Sequence, residues 1–140
     1  MTLHTIAPVF DENSKILVLG SFPSVKSREE GFFYGHPQNR FWKVIANAFD
    51  TQIPQSIEEK KALLLLNGIA LWDVIHSCDI VGSSDSSIKN VVPNDISKIL
   101  KTANIEKIIT NGKKADLLYK KYIEPKFNIK ATCLTSTSPA

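Results

Sequence analysis

The segment GFFYGHPQNRFW, residues 31–42, has the highest density of side chains that could take part in chemistry. Its aromatic run Phe32–Tyr34 is followed by His36 and Asn39. Aromatic rings stack on a planar ring, and an amide offers donors and an acceptor to the edge of that ring. The combination suits a pocket for a planar nucleobase. A structural alternative stands beside it, because Asn39 lies where an N-cap would precede a helix that begins at Phe41.

Two further segments, GSFPS at Gly20–Ser24 and STSP at Ser136–Pro139, carry hydroxyl side chains. In the first, glycine permits a close backbone approach and proline fixes its own φ. GSFPS does not match the phosphate-binding P-loop, the dinucleotide fingerprint or the nucleophile elbow. In the second, hydroxyl and backbone N–H groups could hold phosphate oxygens, which position a nucleic acid without recognising its sequence. Taken alone, each segment is more typical of a structural turn or a solvated loop.

Metal and membrane chemistry have little support in the sequence. The acidic residues Asp73, Asp79 and Asp85 lack the spacing of a metal-binding motif with His76. Two cysteines are too few for a cysteine-rich zinc site or a disulfide scaffold. The longest apolar run, Ala62–Leu66, is far shorter than the ~20 residues of a membrane span, and the first residues show no secretory signal. We therefore expect no metal, no cofactor and no membrane partner, and a cytoplasmic location.

Length and charge set wider limits on the function. A chain of 140 residues fits one domain with a core of its own. The net charge of +3, from 17 Lys and Arg against 14 Asp and Glu, allows a polyanionic partner without requiring one. Lysines concentrate in the last third of the chain, where solvated helix faces are the simpler interpretation.

Apolar runs alternate along the chain with segments of helical spacing. The run Lys15–Gly20 is rich in β-forming residues and ends at glycine, which indicates a buried strand. Such alternation predicts βαβ units and a parallel sheet covered by helices on both faces. The predicted strands are 15–20, 69–75, 105–110 and 129–134, with a polar loop after the second. The predicted helices are 41–49, 56–66 with a capping box of Ser56 and Glu59, 95–101 with Asn94 as N-cap, and 112–122.

The loops with the most unusual residues follow the first and fourth predicted strands. In an open parallel sheet, ligands bind beyond the carboxyl ends of the strands. The first loop, residues 21–38, is predicted to be long and irregular, and loops of this kind are usually functional. The sequence therefore predicts one site where these two loops meet.

Four motifs occur together, in the order LVLGSFPS, YGHPQNRFW, GIALWDVI with GSSDSSI, and the terminal STSP. This set resembles the uracil-DNA glycosylase superfamily, and within it the hypoxanthine-DNA (DNA-deoxyinosine) glycosylase branch. The resemblance covers nearly the whole chain. It implies a three-layer α/β/α sandwich around a parallel four-stranded sheet, in a single domain over residues 1–140. It also implies a further segment after the last motif, so the domain is apparently short at its C-terminus.

The resemblance implies a monofunctional DNA glycosylase of base-excision repair. Such an enzyme flips a deaminated base out of DNA, hydrolyses its N-glycosidic bond and leaves an abasic site. Hypoxanthine is the first expected base, DNA with a deaminated base the expected partner, and a monomer the expected state. Asn39 matches the catalytic position. The resemblance implies a base pocket of Gly20, Ser21, Phe22, Pro23, Tyr34 and His36, and DNA-backbone contacts from Ser24, Ser136, Ser138 and Pro139.

Several alternatives stay open at this stage. Phe22 and Tyr34 do not tell which exocyclic groups the pocket admits, so the substrate could be uracil or thymine in a mismatch with guanine. The chain could also be a non-catalytic binder of damaged DNA. The amide of Asn39 could orient a water or donate to the departing base. His36 could donate to that base or brace the loop, and we favour the bracing role.

Overall fold

The computed structural model describes residues 1–139, which form seven strands and six α-helices. In chain order they are β1 (Thr2–Leu3), β2 (Ile16–Gly20), α1 (Val25–Glu30), α2 (Phe41–Ala48), α3 (Ile57–Leu66), β3 (Ile69–Asp73), β4 (Ile75–Asp79), β5 (Lys89–Pro93), α4 (Ser97–Thr102), β6 (Lys107–Asn111), α5 (Lys113–Tyr122), α6 (Glu124–Phe127) and β7 (Ala131–Leu134). A short 3₁₀ helix, Asp85–Ser87, precedes β5. None of the helices in this described part is long and apolar enough to cross a membrane. Ala140 lies outside the described residues, and the single domain over 1–140 stays a prediction.

Four strands form a parallel sheet in the order β3-β2-β6-β7. Gly20 at the end of β2 pairs with Asp73 at the end of β3. Asn111 at the end of β6 pairs with Leu134 at the end of β7. The carboxyl ends of the four strands therefore meet at one edge of the sheet, as the sequence predicts.

Both faces of this sheet are covered by apolar side chains. Leu17 and Leu19 of β2 belong to a buried cluster that includes Leu118 of α5. Val18, which points to the other face, belongs to a second cluster with Trp42 of α2. Alternate residues of a strand point to opposite faces, so this pattern places helices on both sides of the sheet. The predicted α/β class with a four-stranded parallel sheet is confirmed.

The prediction of one strand over residues 69–75 is wrong at its end. The chain leaves the parallel sheet at Val74, whose N–H donates to the Gly20 carbonyl over 2.8 Å. Ile75 begins β4, which pairs antiparallel with β1 and β5 in a second, three-stranded sheet. The polar loop expected after residue 75 is therefore partly a strand pair. Its buried positions include small polar residues such as Ser77, so no apolar periodicity marks it.

The predicted N-cap role of Asn94 is also wrong. This side chain is buried, and its Nδ2 donates to the carbonyls of Asp73 over 2.9 Å and Ile75 over 3.1 Å. It thereby fixes the sharp turn between β3 and β4. The Asp95 carboxylate instead accepts from the N–H of Ser97, where α4 begins.

Side-chain caps explain where two other helices, α1 and α3, begin. Residues 21–38 are less irregular than predicted, because they contain α1, whose first turn is capped by Ser24 Oγ accepting from the Ser27 N–H over 3.1 Å. The predicted cap of α3 is confirmed: Ser56 Oγ accepts from the Glu59 N–H over 3.1 Å. The Glu59 carboxylate in turn accepts from the N–H of Gln55, which precedes the cap. The short helix α6 was not predicted.

Candidate active site

A cavity of about 280 Å³ opens at the carboxyl edge of the parallel sheet. Its volume lies near the lower end of the ~300–1,000 Å³ range of small-molecule sites, which suits a single planar base. Its walls come from the loops after β2 and β7, the ends of β3 and β6, and the segment before β5. All predicted site residues line this cavity: Gly20, Ser21, Phe22, Pro23, Ser24, Tyr34, His36, Asn39, Ser136, Ser138 and Pro139.

Asn39 lies half-buried in the cavity wall, two residues before α2 begins at Phe41. Its Oδ1 accepts from the N–H of Phe41 over 2.9 Å, and its own backbone N–H donates to the His36 carbonyl over 3.0 Å. The first bond holds the oxygen end of the side-chain amide, and the second holds the backbone of the loop. Asn39 Nδ2 has no hydrogen-bond partner within residues 1–139 and remains available to a ligand. Arg40, and not the predicted Asn39, is the N-cap of α2, and it makes no side-chain cap hydrogen bond. Asn39 Oδ1 instead holds the first N–H of the helix, which leaves Nδ2, the other end of the amide, for chemistry.

His36 is exposed at the rim of the cavity. Its Nδ1 accepts from the Gln38 N–H over 3.1 Å, and its carbonyl accepts from Asn39. Both bonds brace the loop that carries Asn39. Because Nδ1 is an acceptor, a neutral His36 ring carries its proton on Nε2.

Hydrogen bonds join the loop before α2 to the loop after β7. The Arg40 N–H donates to the Thr137 carbonyl over 3.0 Å, and its guanidinium donates to the Ser136 carbonyl over 3.1 Å. Asn111 at the end of β6 accepts from the Thr137 N–H over 3.1 Å and donates to Thr137 Oγ1 and to Tyr34 Oη, each over 3.0 Å. Asn111 and Thr137 are not among the residues predicted for the site, although Asn111 is a polar residue directly after the predicted strand 105–110.

Tyr34 supplies an aromatic wall to the cavity. One face of its ring stacks on Phe41, with centroids 4.2 Å apart and planes at 22°. Burial, and then the nearby charge of Asp73, raise the pKa of the Tyr34 phenol well above its usual range. The phenol therefore stays protonated at neutral pH. Since its oxygen accepts from Asn111, the O–H remains available as a donor.

Two carboxylates that the sequence analysis set aside also line the cavity. Asp73 is 3% exposed, and its Oδ2 lies 2.8 Å from Nε2 of the buried His4. Asp85 accepts from Ser21 Oγ over 3.0 Å. Burial raises the pKa of Asp85, against the lowering effects of the Ser21 bond and the charge of Lys114. Within residues 1–139 no group of three or more His, Cys, Asp or Glu could hold a metal ion.

The segment that carries Asp85 is fastened to α1 beside the cavity. The Val25 N–H donates to Ser83 Oγ over 2.9 Å, and the Arg28 guanidinium donates to the Gly82 carbonyl over 2.7 Å. Asp85, Ser86 and Ser87 in this segment are ordinary turn residues by sequence alone. The contacts of Gly82 and Ser83 with α1 make this segment a third wall of the cavity.

The serines expected to bind a DNA backbone differ in what their hydroxyls do. Ser24 Oγ donates to Ser27 Oγ over 3.1 Å while it caps α1, so its proton is already engaged. Ser136 Oγ accepts from the Ser138 N–H over 3.1 Å, a bond that does not use the Ser136 O–H as a donor. A Cβ added at Gly112, where φ is +100°, would lie 2.9 Å from Ser136 Cβ. The start of α5 thus packs closely against the STSP loop.

Together the fold and the cavity define an α/β protein with a base-sized cavity at the ends of its parallel strands. Residues 7–140 match the family model described as the uracil DNA glycosylase superfamily. The chain belongs to this superfamily. The predicted family and the predicted class, a DNA glycosylase that hydrolyses an N-glycosyl bond, are confirmed.

Individual relatives agree with this assignment. The chain is 38% identical over 109 residues to a hypoxanthine DNA glycosylase of Methanosarcina acetivorans, covering 76% of this chain and 69% of the relative. It is 38% identical over 111 residues to a protein of the same name from Methanosarcina barkeri, covering 77% and 70%. The solution NMR structure of a uracil DNA glycosylase candidate from Methanosarcina acetivorans superposes with a TM-score of 0.82 at 33% identity, covering 95% of this chain and 83% of the other. These relatives support the hypoxanthine branch.

Proposed function

We propose that this protein excises hypoxanthine from DNA by hydrolysis of the N-glycosidic bond and leaves an abasic site. The observation that carries the proposal is the position of Asn39, a fixed amide in the wall of a base-sized cavity at the ends of the parallel strands. The names of the two curated relatives support hypoxanthine as the substrate.

The chemistry needs an extruded base, because an enzyme cannot reach the glycosidic bond inside the stacked duplex. Extrusion costs a few kcal/mol and is easiest for a mismatched base. The rings of Tyr34 and the buried Phe22 line the cavity and offer apolar surface to a base that enters it. Stacking on these rings offsets part of the cost of leaving the duplex.

Asn39 then acts on the breaking bond. Cleavage passes through a sugar with oxocarbenium character while negative charge builds on the departing base. The Phe41 N–H holds Asn39 Oδ1, so Nδ2 is the end of the amide that can donate to the departing base. A preorganised donor of this kind is worth ~3–4 kcal/mol in the transition state. His36 braces the loop that holds Asn39 in place.

The DNA backbone runs across the mouth of the cavity in this proposal. The STSP loop offers the Ser136 hydroxyl, Ser138 and Pro139 at that mouth, and Arg40 adds a positive charge beside them. Ser24 contributes less than the sequence analysis expects, because its proton is used within α1. Phosphate contacts of this kind position the duplex without selecting its sequence.

An abasic-site assay tests the proposal. Duplexes that carry deoxyinosine, deoxyuridine or mismatched thymine opposite each base are incubated with the protein, and alkali-labile sites are counted. We expect the fastest release from deoxyinosine, and the same rate in excess EDTA. No release from any of these duplexes would contradict the proposal.

Uracil is the second candidate substrate, because the matching solved structure is described as a uracil DNA glycosylase candidate. Faster release of uracil than of hypoxanthine in the same assay would favour it. The monomeric state, the cytoplasmic location and the absence of a cofactor stay predictions.

A further inference from the structure

Hydrolysis needs a group that takes a proton from the attacking water. In the proposed function the Asn39 amide donates to the departing base, and an amide is too weak a base to take up a proton at neutral pH. His36 offers no acceptor either, because its Nδ1 already accepts from the Gln38 N–H and the neutral ring carries its proton on Nε2. The proton acceptor must therefore be another residue of the cavity wall.

The two carboxylates that line the cavity lie at different depths. Asp73 is 3% exposed and accepts from the buried His4, so it lies at the enclosed end of the cavity. Asp85 is exposed, as are Ser136 and Pro139 of the loop after β7. Asp85 therefore lies at the mouth of the cavity, where water has access to its carboxylate.

The mouth is also where the sugar of the extruded nucleotide lies, because C1′ joins a base inside the cavity to the DNA backbone outside it. Asn39 is tied to the STSP loop through its neighbour Arg40. Asp85 is tied instead to Ser21, directly after β2, so Asn39 and Asp85 belong to different walls. Inverting glycosidases use the same division, with one group at the leaving group and a carboxylate for the water on the opposite face of the sugar.

One oxygen of the Asp85 carboxylate is available for a water. Ser21 Oγ donates to Oδ1 over 3.0 Å, and within residues 1–139 no group bonds to Oδ2. The bonds of Gly82 and Ser83 to α1 hold the segment that carries the carboxylate in place. Burial raises the pKa of Asp85, and a raised pKa makes the ionised carboxylate a stronger proton acceptor.

We propose that Asp85 activates the attacking water through Oδ2 when the N-glycosidic bond is hydrolysed. This inference rests on the proposed function. The water oxygen bonds to C1′ while the bond from C1′ to the base nitrogen breaks, and the electron pair of that bond leaves with the base. Asp85 Oδ2 takes the water proton and later releases it to solvent. The departing base, held by Asn39 Nδ2, takes its proton from solvent. Ser21 is a positioning residue, because it acts by holding Oδ1.

Asp85→Asn is the variant that tests this role, because its amide oxygen still accepts from Ser21 while Nδ2 cannot take a proton. We expect the single-turnover rate on deoxyinosine duplexes to fall at least ~100-fold, the lower end of what a positioned proton acceptor contributes. Asp50→Asn is the matched control. It removes the same charge from an exposed aspartate that does not line the cavity, and its φ of 51° suits asparagine. Its rate should equal that of the parent.

Binding to a duplex that already contains an abasic site separates chemistry from affinity. Asp85→Asn loses a negative charge near the phosphates, so it should bind this duplex at least as tightly as the parent. Slow excision by a variant that binds this well comes from the chemical step and not from an unfolded protein.

The pH dependence of the rate tests the same role without Asp85→Asn. Only the ionised carboxylate accepts a proton, so we expect the single-turnover rate of the parent to fall as the pH falls through the pKa of Asp85. The bond from Ser21 lowers this pKa, so Ser21→Ala should shift the fall in rate to higher pH. The other titratable groups whose charges interact with Asp85 are Asp73 of β3, Cys78 of β4, Lys114 of α5 and Tyr34 of the loop before α2. Within residues 1–139, Ser21 Oγ bonds to Asp85 and to none of these four, so the shift identifies Asp85.

The outcomes separate the two proposals. A parent protein that releases no hypoxanthine contradicts the proposed function. An active parent with an equally fast Asp85→Asn variant overturns the role of Asp85 and leaves the proposed function standing. If Asp85→Asn does not fold, the pH profile decides. A parent rate that stays constant down to the ordinary Asp pKa of about 3.9, or a fall that Ser21→Ala does not shift, overturns the role of Asp85 as well.

Discussion

Asn111 Nδ2 donates to Tyr34 Oη over 3.0 Å, a bond between residues 77 positions apart in the chain. It joins the end of the central strand β6 to the aromatic loop, while the same amide holds Thr137 on the other side. The end of β6, the Tyr34 loop and the Thr137 loop are therefore joined by hydrogen bonds of one side chain. The loop that carries Tyr34 and the loop that carries Thr137 keep their spacing through this amide.

Replacing Asn111 should loosen both loops. Asn111→Leu keeps a similar volume but leaves the Thr137 N–H without its acceptor, and an unsatisfied buried polar group costs about 1–3 kcal/mol. We expect a loss of that size in the free energy of unfolding, measured by urea denaturation, and slower excision. Asn13→Leu is the control, since this residue is exposed and its side chain makes no hydrogen bond within residues 1–139. Equal stability of the Asn111 and Asn13 variants would contradict the role of Asn111.

Removing the amide of Asn39 should stop the chemistry and spare DNA binding. Asn39→Ala loses a preorganised donor, so we expect the excision rate to fall by ~10²–10³-fold. Asn39→Asp keeps an acceptor for the Phe41 N–H but has no donor for the departing base. It should be as slow as the alanine variant.

Single-turnover rates on deoxyinosine duplexes and affinity for an abasic duplex separate the two effects. If Asn39→Asp retains the rate of the parent, the amide acts as an acceptor and not through Nδ2. The same Asn39→Asp protein with a much lower affinity for the abasic duplex would indicate a structural role for the residue.

Much of this site follows from local sequence rules. The apolar run before Gly20 marks a buried strand, and a parallel sheet brings its end close to the end of β7. Side chains in the intervening loops must then meet at that edge. The rules for single elements thus predicted the place of the cavity and the residues on two of its walls.

The positions of Asp73 and Asp85 in the cavity could not be predicted from local sequence rules. Asp73 ends an apolar run that continues into Val74 and Ile75, so the run looked like one strand. The turn at Val74 depends on bonds from the distant Asn94, and the partner of Asp73 is His4, 69 residues earlier. Contacts this far apart in the chain have no local signature, which is why neither carboxylate was recognised.

The half-buried Lys114, the second residue of α5, should contribute to DNA affinity. The charge of Lys114 lowers the pKa of Asp85 in the cavity wall, so Lys114 lies near the cavity. The start of α5 also packs against the loop that carries Ser136. Lys114→Ala should weaken binding to all duplexes alike and reduce the slope of log affinity against log salt by ~0.9, the value for one phosphate contact. Lys15→Ala is the control, because Lys15 precedes β2 at the opposite edge of the sheet and contacts Glu106. An unchanged salt slope for Lys114→Ala would remove Lys114 from the DNA interface.

The pH dependence of stability should differ in sign between two aspartates. Burial raises the pKa of Asp85, so the folded protein loses stability as the pH rises from the unfolded-state pKa to the folded-state pKa. In Asp85→Asn no carboxyl ionises, so stability is not lost as the pH rises, and the amide oxygen can still accept from Ser21. We expect this variant to be more stable than the parent at neutral pH, with the difference vanishing below the ordinary Asp pKa of about 3.9.

Asp79 provides the opposite case, because the hydrogen bond from Asn90 lowers the pKa of its carboxyl. That bond stabilises the fold above the ordinary Asp pKa and is lost as the pH falls through the lowered value. Asp79→Asn should therefore be less stable than the parent at neutral pH and equal to it in acid. Thermal unfolding of the three proteins between about pH 3 and 8 compares them across the ordinary pKa of aspartate. If Asp85→Asn and Asp79→Asn change the stability of the parent in the same direction at neutral pH, burial does not govern the pKa of the Asp85 carboxyl.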